Sequence, residues 1–89
     1  MLVLPAEITH ATARTCARML TQALASQGDA VVADASELTK FDSSAIAVLL
    51  ECRREAQIKG KSFSVRGLPE RLRSLAALYG VAQLLPAAP

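Results

Sequence analysis

Residues 41–50 read Phe-Asp-Ser-Ser-Ala-Ile-Ala-Val-Leu-Leu, so that one acid and two serines stand directly before an apolar run. A strand-and-turn segment gives way to a helix here, so Ser43 and Ser44 are expected at or beside the helix N-terminus. Free backbone N–H groups and the positive end of the helix dipole would favour an added phosphate there. Asp or Ser oxygens satisfy the same N–H groups in an ordinary N-cap. The sequence alone leaves both interpretations of Asp42, Ser43 and Ser44 open.

Hydrophobic periodicity on both sides of this segment predicts alternating strands and helices. The strand-like segments are residues 2–4, 30–33 and 62–65. The second of these is continuously apolar, which predicts a strand buried on both faces. The helical segments are about 9–27, about 44–59 and a third that ends at Gly80. Thr9 is the expected N-cap of the first helix, and Pro69 is the expected first residue of the third.

Strands that alternate with helices are typical of a parallel sheet with right-handed helical crossovers. The sequence therefore predicts an α/β fold in a single domain, residues 1–89, with a small, mostly parallel sheet of about four strands. Three apolar helical stripes suffice to cover mainly one face of such a sheet. Sites in open parallel sheets lie beyond the carboxyl ends of the strands, and residues 34–44 occupy such a position.

The composition argues against several classes of function. Aromatic residues are 3% of the chain and the net charge is +2, which disfavours a base-stacking or strongly electrostatic nucleic-acid partner. No uncharged apolar run approaches the ~20 residues needed to span a bilayer, and the first residues lack a signal-peptide pattern. We therefore expect a cytoplasmic protein with no nucleic-acid partner and no direct membrane insertion.

The chain lacks the residue groupings that catalysis and cofactor binding require. Neither glycine-rich nucleotide-binding loop occurs, and no base stands near Ser43 in sequence to activate its hydroxyl. The single histidine is His10, and no metal-like cluster is visible. Cys16 and Cys52 fall on apolar helical faces, which favours buried thiols over a disulfide. We expect no enzyme activity, no catalytic residue, no metal and no cofactor.

The motif around Asp42 resembles the STAS domain family, whose founding members are the anti-sigma-factor antagonists. In that family an apolar strand ends in Asp, and a polar loop, a hydrophobic residue and Asp-Ser-Ser/Thr at a helix start follow. The matching residues here are Val31-Val32-Ala33-Asp34, Ser36, Leu38, Phe41 and Asp42-Ser43-Ser44. The resemblance covers nearly the whole chain and implies a STAS-like fold.

Further residues are similar to one subgroup, the small cytosolic STAS subunit (MlaB-like) of the ABC system that moves phospholipids between Gram-negative membranes. They are residues 4–9, 67–69, Leu72, Leu75, 78–81 and 84–86. This resemblance implies a non-catalytic regulatory or interaction subunit that binds the transporter ATPase and stays at the inner membrane through partner proteins. The alternative is an anti-sigma-factor antagonist that acts as a serine phospho-switch, with an anti-sigma kinase as its partner.

The resemblance also assigns candidate site residues. Ser43 occupies the position phosphorylated in the antagonists, and the same surface contacts the ATPase in transporter-associated members. Asp42, Ser43 and Ser44 are therefore candidates for phosphate acceptance or partner contact. The expected partner interface adds Thr39, Lys40, Phe41, Ile46, Ala47 and Leu50.

Two features depart from the family pattern. Ala45 stands where many antagonists have Gly after the serine pair, and the opening strand looks short. A shortened edge strand exposes backbone donors, so a homodimer through that edge is a further expectation.

Overall fold

The computed structural model describes residues 1–89 and has the predicted alternation of strands and helices. The strands are β1 (Leu2–Val3), β2 (Glu7–Ile8), β3 (Ala30–Asp34), β4 (Lys40–Phe41) and β5 (Ser62–Arg66). The helices are α1 (Ala13–Leu24), α2 (Ser44–Ile58) and α3 (Glu70–Leu78), and a short 3-10 turn follows at Ala82–Leu84. None of the helices is long and apolar enough to cross a membrane. The predicted α/β class is confirmed.

The strands form two small sheets, and every strand pair is parallel. The larger sheet has the order β1-β3-β5, and the smaller one pairs β2 with β4. The structure thus has five short strands in two sheets, where about four were expected. The sequence pattern missed β2 and β4 because each is two residues long and pairs one charged residue with one apolar residue, whereas β1 lies in the apolar run at residues 2–4.

Helices cover one face of the larger sheet, as expected. Leu2, Ala33 and Val65 share one row of the register, and all three are buried. The opposite face carries exposed Val3 and Arg66. The expectation that β3 is buried on both faces is wrong, because no helix covers the second face and the strand alternates between buried and partly exposed residues.

The core lies between the sheet and helices α1 and α2. All 20 buried residues are apolar or cysteine, and no polar or charged residue is buried. Cys16 and Cys52 are both buried free thiols, as predicted. Burial raises the pKa of Cys16, and burial with the nearby Cys16 and Glu51 raises the pKa of Cys52 to about 12.

Two helix starts differ from the sequence prediction. The first helix begins at Ala13 and not after Thr9, because Thr9 and Thr12 form a hydrogen-bonded turn that precedes the helix. The Thr9 N–H donates to Thr12 Oγ1 at 3.0 Å, and the Thr12 N–H donates to the Thr9 carbonyl at 3.0 Å. Pro69 stands just before α3 and not inside it, since its ψ of 143° is not helical.

Gly67 is the glycine whose replacement the fold tolerates least. Its φ is +68°, and a methyl group there would lie 2.9 Å from the Ser36 Cβ. We expect Gly67→Ala to lower the free energy of unfolding by about 2–4 kcal/mol, because backbone strain and a steric clash add together. Urea denaturation monitored by circular dichroism measures the loss.

Two other glycines serve as matched controls for that substitution. Gly60 has a φ of +70° with open space around it, so Gly60→Ala isolates the backbone strain at about 1–2 kcal/mol. Gly28 has neither a positive φ nor a close neighbour, so Gly28→Ala should change stability by less than about 0.5 kcal/mol. Equal losses at Gly60 and Gly67 would contradict the close approach to Ser36.

Candidate functional site

The candidate site lies where β4 ends and α2 begins. The Asp42 carboxylate occupies the centre of this junction and accepts two backbone hydrogen bonds. The Ser44 N–H donates to Oδ1 at 2.8 Å, and the His10 N–H donates to Oδ2 at 2.9 Å. The first bond caps α2, and the second ties that helix to the segment that follows β2. The side chain therefore joins two parts of the chain that are remote in sequence.

These hydrogen bonds determine the charge at the junction. The His10 N–H contributes most and the Ser44 N–H next, and together they lower the pKa of the Asp42 carboxyl below its ordinary value. Asp42 is therefore ionised at neutral pH. Its negative charge lies at the positive end of the α2 dipole, where it stabilises the helix start.

Ser43 lies beside this carboxylate but does not share its role. The expectation that Ser43 also caps the helix is wrong, because its side chain makes no cap hydrogen bond. A capping Ser43 side chain would accept from the Ala45 or Ile46 N–H, and these donate instead to the carbonyls of Asp42 and Ser43 at 3.0 and 3.1 Å. Ser43 is exposed, so its hydroxyl points to solvent without an internal partner.

A second acidic turn shapes the loop that leads to this site. The Asp34 Oδ1 accepts hydrogen bonds from the Ser36 hydroxyl at 2.7 Å and from the Ser36 N–H at 3.0 Å. These bonds, the hydroxyl first, lower the pKa of the Asp34 carboxyl. The Ala35 N–H then donates to the Arg66 carbonyl at 2.8 Å, which fixes the loop to the end of β5.

The structure separates the predicted interface residues by exposure. Thr39, Lys40 and Ala47 are exposed, whereas Phe41 and Leu50 are half-buried. Ser44 is also half-buried. Ile46 is only 4% exposed and belongs to the core. Its assignment to a partner-facing surface is therefore corrected, since the inner flank of α2 packs it against the rest of the protein.

Arg71 also lies in this region, although the sequence did not indicate it as a site residue. Its guanidinium lies 5.1 Å from the centre of the Phe41 ring, a cation–π contact that links α3 to β4. Arg71 itself is exposed, so it adds positive charge beside the half-buried ring. No local sequence signal could have indicated this contact, because it depends on how α3 packs.

The hydrogen bonds at the junction limit the chemistry that Asp42 can perform. Both Asp42 oxygens are engaged by backbone N–H groups, so the carboxylate is not oriented to take a proton from Ser43. The Ser43 hydroxyl has no base bonded to it. An exposed hydroxyl beside an ionised carboxylate can instead contact another protein or accept a modification.

The pH dependence of stability reports the role of Asp42. Its folded-state pKa is lowered, so the ionised group stabilises the fold above the ordinary value of 3.8 and loses this effect as pH falls through the folded-state value. We expect Asp42→Ala to lower the Tm. The Tm difference from wild type should be constant from about pH 7 to about pH 5 and shrink below about pH 4.

Asp29→Ala is the control for this measurement, because the Asp29 carboxylate accepts no hydrogen bond in the structure. Its Tm should match that of wild type across the same range. Other carboxylates titrate in both proteins and cancel in the difference. A gap between wild type and Asp42→Ala that persists unchanged at the lowest pH would contradict the assigned role.

Comparison with known proteins agrees with the fold and identifies the family. The sequence profile of the family described as "Mlab, STAS domain" matches residues 1–86. The fold is similar to that of the anti-sigma factor antagonist SpoIIAA in its unphosphorylated form, with a TM-score of 0.72 and 16% sequence identity. That alignment covers 98% of this chain and 76% of the SpoIIAA chain, and at this identity it establishes the fold alone. No protein of curated function matches the sequence. Because the profile spans nearly the whole chain, this protein belongs to the STAS domain family, in the branch described as Mlab.

Proposed function

We propose that this protein is a non-catalytic interaction subunit that binds the ATPase of an ABC phospholipid-transport complex. The family match supports this proposal, because the Mlab description is attached to a profile that covers residues 1–86. In this role the protein is cytoplasmic and is held at the inner membrane by its partner. Its contribution is to bind and regulate, since nothing at the site activates Ser43 as a nucleophile.

The observation that carries the proposal is the free hydroxyl of Ser43. Asp42 caps α2, so Ser43 is exposed at the helix start and does not serve the fold. Both polar and apolar side chains surround this hydroxyl, and we call this set of residues the Ser43 surface. Its residues are Thr39, Lys40, Phe41, Ser43, Ala47 and Leu50. Exposed or half-buried side chains of mixed character are typical of a transient protein interface.

The second candidate function is that of an anti-sigma-factor antagonist, with Ser43 as a phosphate acceptor for an anti-sigma kinase. The similarity to SpoIIAA, an antagonist solved in its unphosphorylated form, favours this alternative. The exposed hydroxyl is also accessible to a kinase. Against it, the ionised Asp42 lies next to Ser43 and would repel an added phosphate.

Substitution of Ser43 separates binding from stability. We expect Ser43→Asp to leave the Tm within about 2 °C of wild type, because an acid near a helix N-terminus is tolerated and no internal hydrogen bond is lost. Binding to the ATPase should weaken at least about tenfold, because a charge in the interface must lose its water. Ser43→Ala should have a milder effect. Titration calorimetry with the purified ATPase measures both variants.

Ser74→Asp is the matched control, since Ser74 is exposed on α3 and makes no hydrogen bond. It introduces the same charge at a residue that is not part of the Ser43 surface as defined and should bind the ATPase like wild type. Unchanged affinity of Ser43→Asp would remove this surface from the interface. Loss of binding in both Ser43 variants together with a collapsed Tm would indicate a structural role instead.

The genes beside this one distinguish the two functions. An ATPase and a permease as neighbours predict co-purification with the ATPase and no phosphate transfer to Ser43. A sigma factor and a serine-kinase-type anti-sigma factor as neighbours predict the reverse. Incubation with each candidate partner and ATP, followed by mass spectrometry of the intact chain, tests the second outcome directly.

A further inference from the structure

Helix α3 buries fewer residues than either of the other helices. Only Leu72 and Ala76 among its nine residues are buried. Leu78 is 77% exposed, more than any other large apolar side chain in the protein. A single exposed leucine is ordinary on a protein surface, so its neighbours decide whether it belongs to a binding surface.

The contact between Arg71 and Phe41 shows which flank of α3 faces α2. Phe41 lies just before the start of α2, and the Arg71 guanidinium lies 5.1 Å from the centre of its ring. Leu75 and Leu78 follow Arg71 by four and seven residues, which places them within about 40° of it around the helix. This flank of α3 therefore carries one arginine, the half-buried Leu75 and the exposed Leu78.

Arg53 lies on the facing flank of α2. Helix α2 packs against both α1 and α3. In a sheet of order β1-β3-β5 with right-handed crossovers, the flank of α2 that carries Ile46, Leu50 and Arg53 faces α3. Glu51 and Glu55 are each about 160° around the helix from Arg53, so they lie on the side of α1. The two helices thus present one arginine each to the space between them.

We call the surface formed by Arg53, Arg71, Leu75 and Leu78 the α2–α3 seam. Neither arginine forms a salt bridge, and the Arg53 Nη1 makes only a long hydrogen bond of 3.4 Å to the Gln57 Oε1. Guanidinium groups bind carboxylates in preference to other side chains, because two parallel N–H donors match two oxygens. An apolar strip between two such groups therefore favours an occupant that is both apolar and acidic.

The charged residues nearby do not change this balance. Glu70 precedes Arg71 but is turned about 100° from it around α3. Asp42 uses both oxygens to accept backbone N–H groups. Lys40 extends from the other face of β4 from Phe41 and has Glu7 as its register neighbour. The charge that faces the seam therefore comes from its own two arginines.

We propose that the α2–α3 seam binds an amphipathic helix of another protein that carries two acidic residues about three turns apart, with apolar residues between them on the same face. One acid pairs with Arg71 and the other with Arg53, and the apolar side chains cover Leu75 and Leu78. This site does not depend on the proposed function, because the seam lies outside the Ser43 surface and the helix is recognised by its own chemistry.

The spacing of the two arginines sets the spacing of the acids. Arg71 is level with the start of α2, and Arg53 lies nine residues beyond the first residue of that helix, about 14 Å along the axis. Acids at positions i and i+11 of a helix are about 17 Å apart on one face, within reach of two long arginine side chains. Positions i+4 and i+7 then lie between them. A third helix laid along two neighbouring helices is a common mode of peptide recognition.

A second copy of this chain does not supply such a helix. Helix α1 contains no acidic residue, and Glu70 is the only one in α3. The acids of α2, Glu51 and Glu55, are one turn apart and not three. The homodimer expected from the sequence is therefore the competing outcome.

The test uses a synthetic helix and does not require the ATPase. The probe is acetyl-Ser-Ala-Glu-Gln-Ala-Ala-Leu-Gln-Ala-Leu-Gln-Ala-Ala-Glu-Gln-Ala-Ala-amide, titrated into the full chain while backbone amide shifts are followed by NMR. We expect saturable binding with a Kd of about 10–100 μM, and the largest shifts at Arg53, Arg71, Leu75 and Leu78. A control peptide has the same composition, with each glutamate exchanged with the alanine two positions later. This exchange turns both acids by about 200°, so the control should bind at least about tenfold more weakly.

Matched variants of the protein separate the seam from general attraction of an acidic peptide. Arg71→Glu should weaken binding at least about tenfold. Arg73→Glu makes the same change on the exposed α3 surface about 160° away and should alter the Kd less than about twofold. Leu78→Ser removes apolar area without touching the core and should weaken binding about fivefold. Circular dichroism shows whether each variant is folded.

A charge exchange distinguishes direct pairing from a structural role of Arg71. A peptide with lysine in place of its first glutamate should bind wild type weakly and Arg71→Glu at least about fivefold more tightly. A merely structural defect in the variant would not be repaired by a change in the peptide.

Several results would overturn the proposal. These are no binding at about 1 mM peptide, equal binding of the control peptide, and equal weakening by Arg71→Glu and Arg73→Glu. A dimer in sedimentation equilibrium that Leu78→Ser dissociates would also overturn it, because the seam would then be occupied by a second copy.

Discussion

The structure depends on the paired hydrogen bonds of one exposed carboxylate, that of Asp42. Helix α2 supplies the largest share of buried residues in any single element, and its first turn is fixed by the bond from Ser44 to Asp42. The other oxygen holds His10, so the start of α2 is also tied to the segment after β2. The small β2–β4 sheet has only two residue pairs, too few to hold this junction alone. A single ionised group thereby couples the second sheet to the helix that contributes more buried residues than any other element.

This arrangement shows which residue caps the helix. Capping belongs to Asp42, so in the proposed function partner contact by Ser43 would not compete with it. Asp42 serves the fold with both oxygens, whereas the Ser43 hydroxyl serves no internal role. Substitution at Ser43 can therefore change binding without the loss of stability that substitution at Asp42 brings. A regulatory residue benefits from this separation, since its modification does not unfold the protein.

The sequence predicted a helix or strand correctly wherever a hydrophobic repeat extended over several residues. The long segment of α2 and the alternation in β5, with Phe63 and Val65 on one face, were predicted because periodicity extends over several residues. Strands β2 and β4 were missed because two residues cannot display a period and neither strand lies in an apolar run like that around β1. The contacts between His10 and Asp42 and between Phe41 and Arg71 join residues about thirty positions apart, and a single sequence contains no signal of such pairing. Ile46 was misassigned because the flank that packs inward is determined by the neighbouring elements and not by hydrophobicity alone.

The burial of Ala45 explains why alanine stands where many antagonists have glycine. Ala45 has no exposed surface and begins the buried stripe of α2. Glycine there would forfeit core contact and lower helix propensity by about 1 kcal/mol, so alanine is explained by the fold. Its methyl group does not reach the surface that a partner would contact, and the departure therefore does not itself argue against a kinase. The choice between the two proposed partners rests instead on the groups that remain exposed at the helix start, above all the Ser43 hydroxyl and the negative charge of Asp42 beside it.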